Sequence, residues 1–540
     1  MQEIELKFLV PESRLQGLMR QAKVKSSQVT QLAAHYYDTP DQQLAQASIG
    51  LRIRKEGDTW VQTIKAGGDG IAARLEHNAI LDSELVQAML DHNELKPDLT
   101  IYKDTSVAPA LEGFKLKKLA KKLTRLYVTD VERITRVLVD DDNEKTDNRI
   151  EMAYDYGDII HGNDDTQRDA IQEIEFELLS GDLDFLFATA KTWCKRYKLC
   201  LSTVTKAERG GLLINAQRYS LAMNADFSQL NINKKTSMPA FARAAVHNCL
   251  LQILPNSSAI VAGSTDNEHT LQLRIGINRL RAAIKAFASF SDELNPDWQP
   301  ILKQTANLLG DYRELTYLIN HIEPKLRKNG APNVDWTADI ETLKVKPIDA
   351  VSANDFQLTL LELIAFTMSD PKLEPQADTL ASDKLSKILA KQYNKFLKAD
   401  REYDEMTSAE LDSTDSKNID SERIDLNTSD SIANAKNQAQ HKLRRQLKDL
   451  RYISEFVTPL LNKKEAKKKG ERWLKDLKKA DKTLGQYRDH MQYQQCYQLK
   501  SAVDSNALYG AGWFAAMRKK EDKRTKKYLA KVQDSSFFDK

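Results

Sequence analysis

The sequence predicts an α+β multidomain chain: a strand-rich first part that encloses a charged interior, as a barrel does, and an all-α second part built as a duplicated helical bundle. Three observations carry this prediction. Residues 1–213 run in short alternating segments separated by Gly, Asp and Asn turn signals. From about residue 236 the apolar period becomes helical. Within that second part Leu308-Leu309-Gly310-Asp311-Tyr312-Arg313-Glu314 recurs as Thr483-Leu484-Gly485-Gln486-Tyr487-Arg488-Asp489, a signature of duplication.

The 540 residues, 41% of them hydrophobic and 29% charged, suffice for about two to four domains with full cores. No apolar run approaches the ~18–20 residues of a spanning helix, and the acidic, alternating start is not a signal peptide. A cytoplasmic protein with no membrane partner is expected. The four cysteines, Cys194, Cys200, Cys249 and Cys496, lack zinc-ligand spacing and read as buried free thiols in a reducing compartment. The net charge is only +3, from 80 basic and 77 acidic residues, so the charges inform by their placement.

In the first part, strands are expected at Glu3–Leu9, Leu51–Arg54, Thr59–Lys65, Arg74–Ile80, Val131–Val139, Arg149–Asp155 and Ile171–Leu179. Their polar faces carry Glu, Arg and Lys strand after strand. Such groups are costly to bury singly, so together they imply a charged lumen. Glu3, Glu5 and Lys7 share one face, because alternate residues of a strand do. Arg52 and Arg54 share another. Lys65, Arg74, Glu76, Arg133 and Asp155 follow, then Glu173, Glu175 and Glu177, then Lys206 and Arg209. Several Arg and Lys together suit a multiply charged anion, most simply phosphate. Carboxylates in the same site would repel that anion unless a divalent cation lay between them. The residues by themselves therefore point to metal-dependent chemistry on a polyphosphate. P-loop and kinase-type glycine-loop signatures are absent.

Residues 214–235 read as a linker. Helices are expected at Pro239–Leu254, Leu271–Phe290, Ile301–Ile322, Asn354–Thr367, Ala377–Ala399, Gln438–Leu461, Glu471–Leu499 and Gly510–Val532. Residues 402–430 hold ten acidic and two basic residues, and a disordered acidic insertion is expected over 402–436. Arg274, Asn278, Arg281 and Lys285 share one helix face, and His441, Arg444, Lys448 and Arg451 share another. Each is a candidate anion-binding face.

The Glu3–Lys7 ExExK segment, Tyr36-Tyr37-Asp38-Thr39-Pro40-Asp41, Leu51-Arg52-Ile53-Arg54, Arg133 and the Glu173/Glu175/Glu177 strand resemble the CYTH family, the triphosphate tunnel metalloenzymes. The helical part, with His441-Lys442-Leu443-Arg444 and Leu450-Arg451-Tyr452, resembles the CHAD domain, and the order of the two resembles bacterial inorganic triphosphatases. The resemblance implies an eight-stranded antiparallel tunnel over 1–213 and a CHAD domain over 236–540. It implies hydrolysis of tripolyphosphate, with class IV adenylate cyclase, thiamine triphosphatase or non-catalytic polyphosphate binding as alternatives.

It further implies Mg²⁺ or Mn²⁺ held by Glu3, Glu5, Glu173 and Glu175, with Glu177, Glu76 and Asp155 as further acidic tunnel positions. Glu3, Glu5, Lys7 and Asp155 are the expected catalytic set. Triphosphate binding falls to Lys7, Arg52, Arg54, Lys65, Arg74, Arg133, Lys206 and Arg209. Polyphosphate binding in the helical part falls to Arg274, Arg281, Lys285, His441, Arg444, Lys448 and Arg451. A nucleic-acid partner is not expected. The first helical half departs from the family pattern: Leu271 stands where a His opens the basic helix, and His269 is two residues out of phase.

Overall fold

The computed structural model describes residues 2–68, 71–92, 94–140, 147–415, 426–461 and 464–535. Eight strands form the first part: β1 Gln2–Leu9, β2 Gln28–Asp38, β3 Ile49–Glu56, β4 Thr59–Ala66, β5 Ala73–Leu81, β6 Thr124–Val139, β7 Arg149–His161 and β8 Asp164–Ser180. Their order is β5-β4-β3-β2-β6-β7-β8-β1, all antiparallel, and β1 pairs back onto β5. The sheet closes into the expected eight-stranded barrel. Closure leaves no free edge and sends alternate side chains inward. A two-residue strand, β9 Cys200–Leu201, extends the β1 side, with Phe8 opposite Leu201 and Leu9 opposite Cys200.

Strand β2 is absent from the sequence reading. Its first residues are largely polar, and its apolar face carries Ala34 and Tyr36 rather than a clear alternation. The Tyr-Tyr-Asp-Thr-Pro-Asp segment ends it. There the buried Asp38 carboxylate accepts from the Thr39, Leu44 and Ala45 amides and fixes the turn into β3. Strands β6, β7 and β8 outrun their expected lengths; the added residues of β8, Asp164–Arg168, are polar and largely exposed, whereas those of β6 and β7 include the buried Tyr127 and Ile159.

The helices that bear on function are α1 Leu183–Tyr197, α2 Lys206–Ile214, α3 Met238–Val261, α4 Asn267–Ala286, α5 Trp298–Tyr317, α6 Asn354–Met368, α7 Ser382–Asp415, α8 Leu426–Val457, α9 Lys464–Lys500 and α10 Ala507–Asp534. Every expected helix of the second part has a counterpart. A π-helical turn, Leu318–Ile322, prolongs α5. Helix α7 continues to Asp415 and α8 begins at Leu426, so 402–415 and 426–436 are helical where a disordered insertion is expected. Residues 416–425 of that segment lie outside the described residues.

One apolar cluster runs from the barrel wall (Phe8, Ile174, Phe176) through α1 (Leu186, Phe187) into the helical part (Phe241, Leu250, Leu360, Leu447). The two parts therefore meet on a shared core. Among the described residues no helix is long and apolar enough to cross a membrane. Cys194, Cys200 and Cys249 are buried free thiols, and burial pushes the Cys194 thiol up to about 12.

Candidate functional site: a charged tunnel and a basic helical cluster

Strand order divides the barrel interior by charge. Neighbouring strands β3, β2 and β6 supply Arg52, Arg54, Tyr36 and Arg133. The opposite arc, β7, β8, β1 and β5, supplies Glu151, Asp155, Glu173, Glu175, Glu177, Glu3, Glu5 and Glu76, with Lys7 and Arg74 among them. Lys65 on β4 lies at the seam. Its Nζ is 2.7 Å from Glu3 and 3.0 Å from Glu76.

The buried end of the acidic arc is tightly compensated. Asp155, Glu173 and Glu175 bring one carboxylate oxygen each within 4.8 Å of one another. Lys206, first residue of α2, places its Nζ 2.6 Å from Asp155, 2.5 Å from Glu173 and 2.8 Å from Glu175. Arg133 donates through Nε and one terminal nitrogen to the two oxygens of Asp155, both at 2.6 Å, and reaches Glu175 at 2.6 Å. Burial disfavours all these charges, but their mutual attraction outweighs it. It holds Glu175 well below the usual carboxylate range and Lys206 well above its ordinary value. Lys7, 7% exposed, is 3.9 Å from Glu173 and donates to the Val204 carbonyl. Burial lowers its pKa, opposed chiefly by Glu173.

The other end is under-compensated. Glu5 faces Glu177 across the β1–β8 pairing, and Glu151 faces Glu177 across β7–β8. Burial, helped by the Glu5 and Glu151 charges and opposed by Lys65, pushes Glu177 up to about 7. Glu3 hydrogen-bonds Glu76, and burial with the neighbouring carboxylates raises its pKa while Lys65 pulls it down. Arg74 is 3.6 Å from Glu5.

On the basic arc Arg52 donates to the Tyr36 hydroxyl at 3.3 Å, while Arg54 turns to Glu56. Burial disfavours ionisation of Tyr36, yet Arg52, with Lys206 and Arg54, lowers its pKa. Arg209 stands apart: it pairs with Asp169 at 2.6 Å and comes only within 3.9 Å of Glu173. Neither Tyr36, which opens the Tyr36–Asp41 motif, nor Glu151 is among the site residues expected from the sequence. The signal for Glu151 is its parity with Asp155 on β7; Tyr36 reads as an ordinary packing aromatic.

In the helical part α4 packs on α8, and both repeats build the same device. A Cβ added to Gly310 would lie 2.7 Å from the Arg274 guanidinium, and one added to Gly485 would lie 3.5 Å from that of Arg444. Gly310 thus makes room for Arg274, while Gly485 lies at ordinary contact distance from Arg444. Each Arg then meets the acid four residues beyond the glycine: Arg274–Glu314 at 3.7 Å and Arg444–Asp489 at 3.9 Å. Burial and mutual repulsion lower Arg274 and Arg488, with Arg313 and Arg444 among the neighbours responsible. Lys448 joins this cluster, and burial, with Arg444 and Arg274 beside it, lowers its pKa to about 8.

The other expected residues are placed differently. Burial, with Arg488 and Arg444, lowers the His441 pKa at the cluster's edge. Arg451 pairs with Glu455 at 3.2 Å and Asp481 at 2.9 Å. Arg281 and Lys285 lie toward Asp449. His269 is buried between the Ser264 hydroxyl, 2.8 Å away, and the Ser220 carbonyl, 2.9 Å away. Arg313 and Arg488, which the repeat itself displays, were not singled out as site residues.

Residues 1–210 match the CYTH domain and residues 244–498 match the CHAD domain. The chain joins a CYTH domain to a CHAD domain. It is 32% identical over 225 residues to an inorganic triphosphatase of Haemophilus influenzae, a match covering 40% of this chain and 56% of that protein. The chain thus spans little more than half the length of that curated relative. The CHAD domain structure from the plant Ricinus communis is 19% identical, with 58% of this chain and 96% of that chain covered and a TM-score of 0.42. A Hippeastrum protein named a candidate adenylyl cyclase and described as having a dominant triphosphatase activity is 13% identical, covering 40% of this chain and 96% of that chain, with a TM-score of 0.28.

The CYTH barrel offers a donor set of carboxylates alone, which suits a hard divalent cation rather than a soft one. The Lys206 ammonium is itself a cation seated where Asp155, Glu173 and Glu175 converge. The raised Glu177 marks a second place where positive charge is wanting. These residues fit the divalent metal that the family resemblance implies.

Proposed function

We propose that the CYTH domain hydrolyses inorganic tripolyphosphate to phosphate and diphosphate with Mg²⁺ or Mn²⁺, and that the CHAD domain binds polyphosphate. The observation that carries this is the division of one closed lumen into a basic arc and an acidic arc that is under-compensated at its Glu177 end. Arg52, Arg54 and Arg133, with Lys65 and Lys206, bind phosphate oxygens and take up the charge that spreads over the transferring phosphoryl group. Lys7 and Arg74 complete the cationic lining, and Arg209 guides the anion at the mouth.

Glu3, Glu5, Glu173 and Glu175 hold the metal, with Glu76, Glu177 and Asp155 around them. When bound, the metal neutralises phosphate oxygens and lowers the pKa of water. Asp155 acts by orienting Arg133 and Lys206. In the CHAD domain Arg274, Arg313, Arg444, Lys448 and Arg488 form the centre of the anion site, with His441, Arg281 and Lys285 extending it and Arg451 bracing it.

The test is phosphate release from tripolyphosphate, ATP, thiamine triphosphate and long-chain polyphosphate, with Mg²⁺, Mn²⁺ or EDTA, alongside an assay for cyclic AMP. Metal-dependent release from tripolyphosphate without cyclic AMP is expected. Cyclic AMP formation, or no hydrolysis of any of the four, would overturn the reading.

A further inference from the structure

Lys206, the cation seated among Asp155, Glu173 and Glu175, is held in place from the other domain. Lys206 begins α2, and only the four residues 202–205 separate it from β9. The barrel secures one side of this connector: the Ser202 amide donates to the Lys7 carbonyl at 2.9 Å, and the Lys7 ammonium donates to the Val204 carbonyl. The CHAD-side helices secure the other. Gln357 of α6, 1% exposed, accepts from the Leu201 amide at 2.8 Å. Ser258 of α3, 2% exposed, accepts from the Thr203 amide at 3.1 Å.

Both acceptors are themselves fixed. The Gln357 amide donates to the Val351 carbonyl at 2.8 Å, and the Ser258 hydroxyl donates to the Leu254 carbonyl at 2.8 Å. A further tie runs from His269 to the Ser220 carbonyl, 2.9 Å away, and from the Ser220 hydroxyl to Glu208 of α2 at 2.7 Å. The barrel also grips α2 directly, through the carboxylates around Lys206, through Asp169 on Arg209 and through Tyr127. Tyr127 donates to the Ala207 carbonyl at 2.9 Å, and its ring occupies the space a Cβ at Gly210 would need, 2.2 Å away. That contact fixes the body of α2. The backbone path by which the chain enters α2 at Lys206 runs through the connector, which Gln357 and Ser258 hold.

We propose that Ser258 and Gln357 are positioning residues for Lys206, so that the phosphate-binding power of the CYTH tunnel depends on the docked helical domain. This rests on the proposed triphosphate reading of the tunnel. A buried amide that loses its acceptor shifts to find another, and a displaced Lys206 can no longer sit between Asp155, Glu173 and Glu175.

The test uses the full chain and the variants Ser258→Ala, Ser258→Thr, Gln357→Leu and, as a control, Lys191→Ala. The last breaks the α1–α6 ion pair of Lys191 with Glu362, 2.9 Å long, without touching the connector. Two quantities are read: hydrogen exchange of the 201–209 amides, and calorimetric binding of tripolyphosphate in EDTA. Expected are faster exchange over 201–209 and binding weaker by about tenfold in Ser258→Ala and Gln357→Leu, with Ser258→Thr and Lys191→Ala close to the parent. Unchanged exchange, or faster exchange with unchanged binding, would overturn the proposal. So would an equal loss in Lys191→Ala, which would make the effect one of domain docking in general. If the parent bound no tripolyphosphate in EDTA the comparison moves to Mg²⁺; if it bound none there either, the substrate reading of the tunnel would fall, and the exchange data alone would decide whether these side chains position α2.

Discussion

Glu177→Gln should stabilise the metal-free protein at pH 8 and leave it unchanged near pH 4.5. Glu177 lies between two other carboxylates, with Glu5 opposite it on β1 and Glu151 opposite it on β7. Like charges directly across a sheet are destabilising, and burial adds to the effect. The carboxyl rises from 4.5 to about 7. A carboxyl whose folded pKa lies above its unfolded one contributes stability that is fully present below about pH 4.5 and is lost as pH rises through 7. The rise corresponds to about 3 kcal/mol, and screening by the solvent that still reaches the side chain leaves about 1–2 kcal/mol. For a barrel of this size that is about 3–6 °C in the apparent unfolding midpoint. Thermal unfolding in EDTA at pH 4.5 and pH 8 measures it: the midpoints should coincide at the lower pH and separate at the higher, the glutamine variant melting later. Mg²⁺ should then restore the parent preferentially, because a ligand of the folded state stabilises it by mass action. A midpoint difference that is the same at both pH values, or a glutamine variant that melts earlier at pH 8, would refute the account of the acidic arc.

Three further outcomes are expected. Glu5→Gln should fold, as circular dichroism can verify, yet lower tripolyphosphate turnover by about two orders of magnitude or more; normal turnover in a folded variant would exclude a metal role for Glu5. Lys448, with a pKa lowered to about 8, loses its charge between pH 7 and 9, so polyphosphate affinity measured by calorimetry should fall over that interval and stay flat in Lys448→Arg. Protein stability should move the other way, rising as pH climbs from 8 to 10.5, because the unfolded chain still binds the proton there. Gly310→Ala and Gly485→Ala should each gain up to about 1 kcal/mol of helix propensity, but only Gly310→Ala should weaken polyphosphate binding, since its new methyl meets Arg274 at 2.7 Å whereas the other has 3.5 Å to Arg444.

Most of the architecture could be read from periodicity alone because barrel strands and amphipathic helices each impose a period on which residues face the core. The failures are physical. Strand β2 escapes because one wall of the basic arc is made of Ala34 and Tyr36, whose size and polarity give no clear alternation. The acidic segment after Glu402 reads as disorder because its composition is polar, yet α7 carries it as far as Asp415. Within the site, types and parities were legible and pairings were not. Nothing in the sequence says that Lys206, more than thirty residues after Glu173, returns to sit among Asp155, Glu173 and Glu175. Nor does spacing distinguish Arg451, which pairs with Glu455 and Asp481, from Arg444 on the same helix face. Intrahelical spacing orders side chains along one helix; the partner is chosen by the helix packed against it.

The charge pattern of the tunnel also constrains what can enter it. Lys7, Arg52, Arg54, Lys65, Arg74, Arg133, Lys206 and Arg209 are eight cations; Glu3, Glu5, Glu76, Glu151, Asp155, Glu173, Glu175 and Glu177 are eight carboxylates. Their formal charges cancel, so neither a bare anion nor a bare cation is favoured by net charge. What remains is a separation, with Arg52 and Arg54 on β3 across the barrel from the carboxylates of β7, β8 and β1. A bare polyphosphate would gain from Arg52, Arg54 and Arg133 but meet the Glu5–Glu177–Glu151 row unshielded. A divalent cation alone would relieve that row and leave Arg52, which donates to the Tyr36 hydroxyl, without an anion. A metal–polyphosphate complex presents each charge to its own arc, and its two components should therefore bind with positive coupling. Calorimetry of tripolyphosphate with and without Mg²⁺, corrected for the complex formed in solution, should show tighter binding in the presence of the metal; in Glu177→Gln, where the row is broken, that advantage should shrink. Equal coupling in the parent and the variant would separate the acidic row from metal recognition.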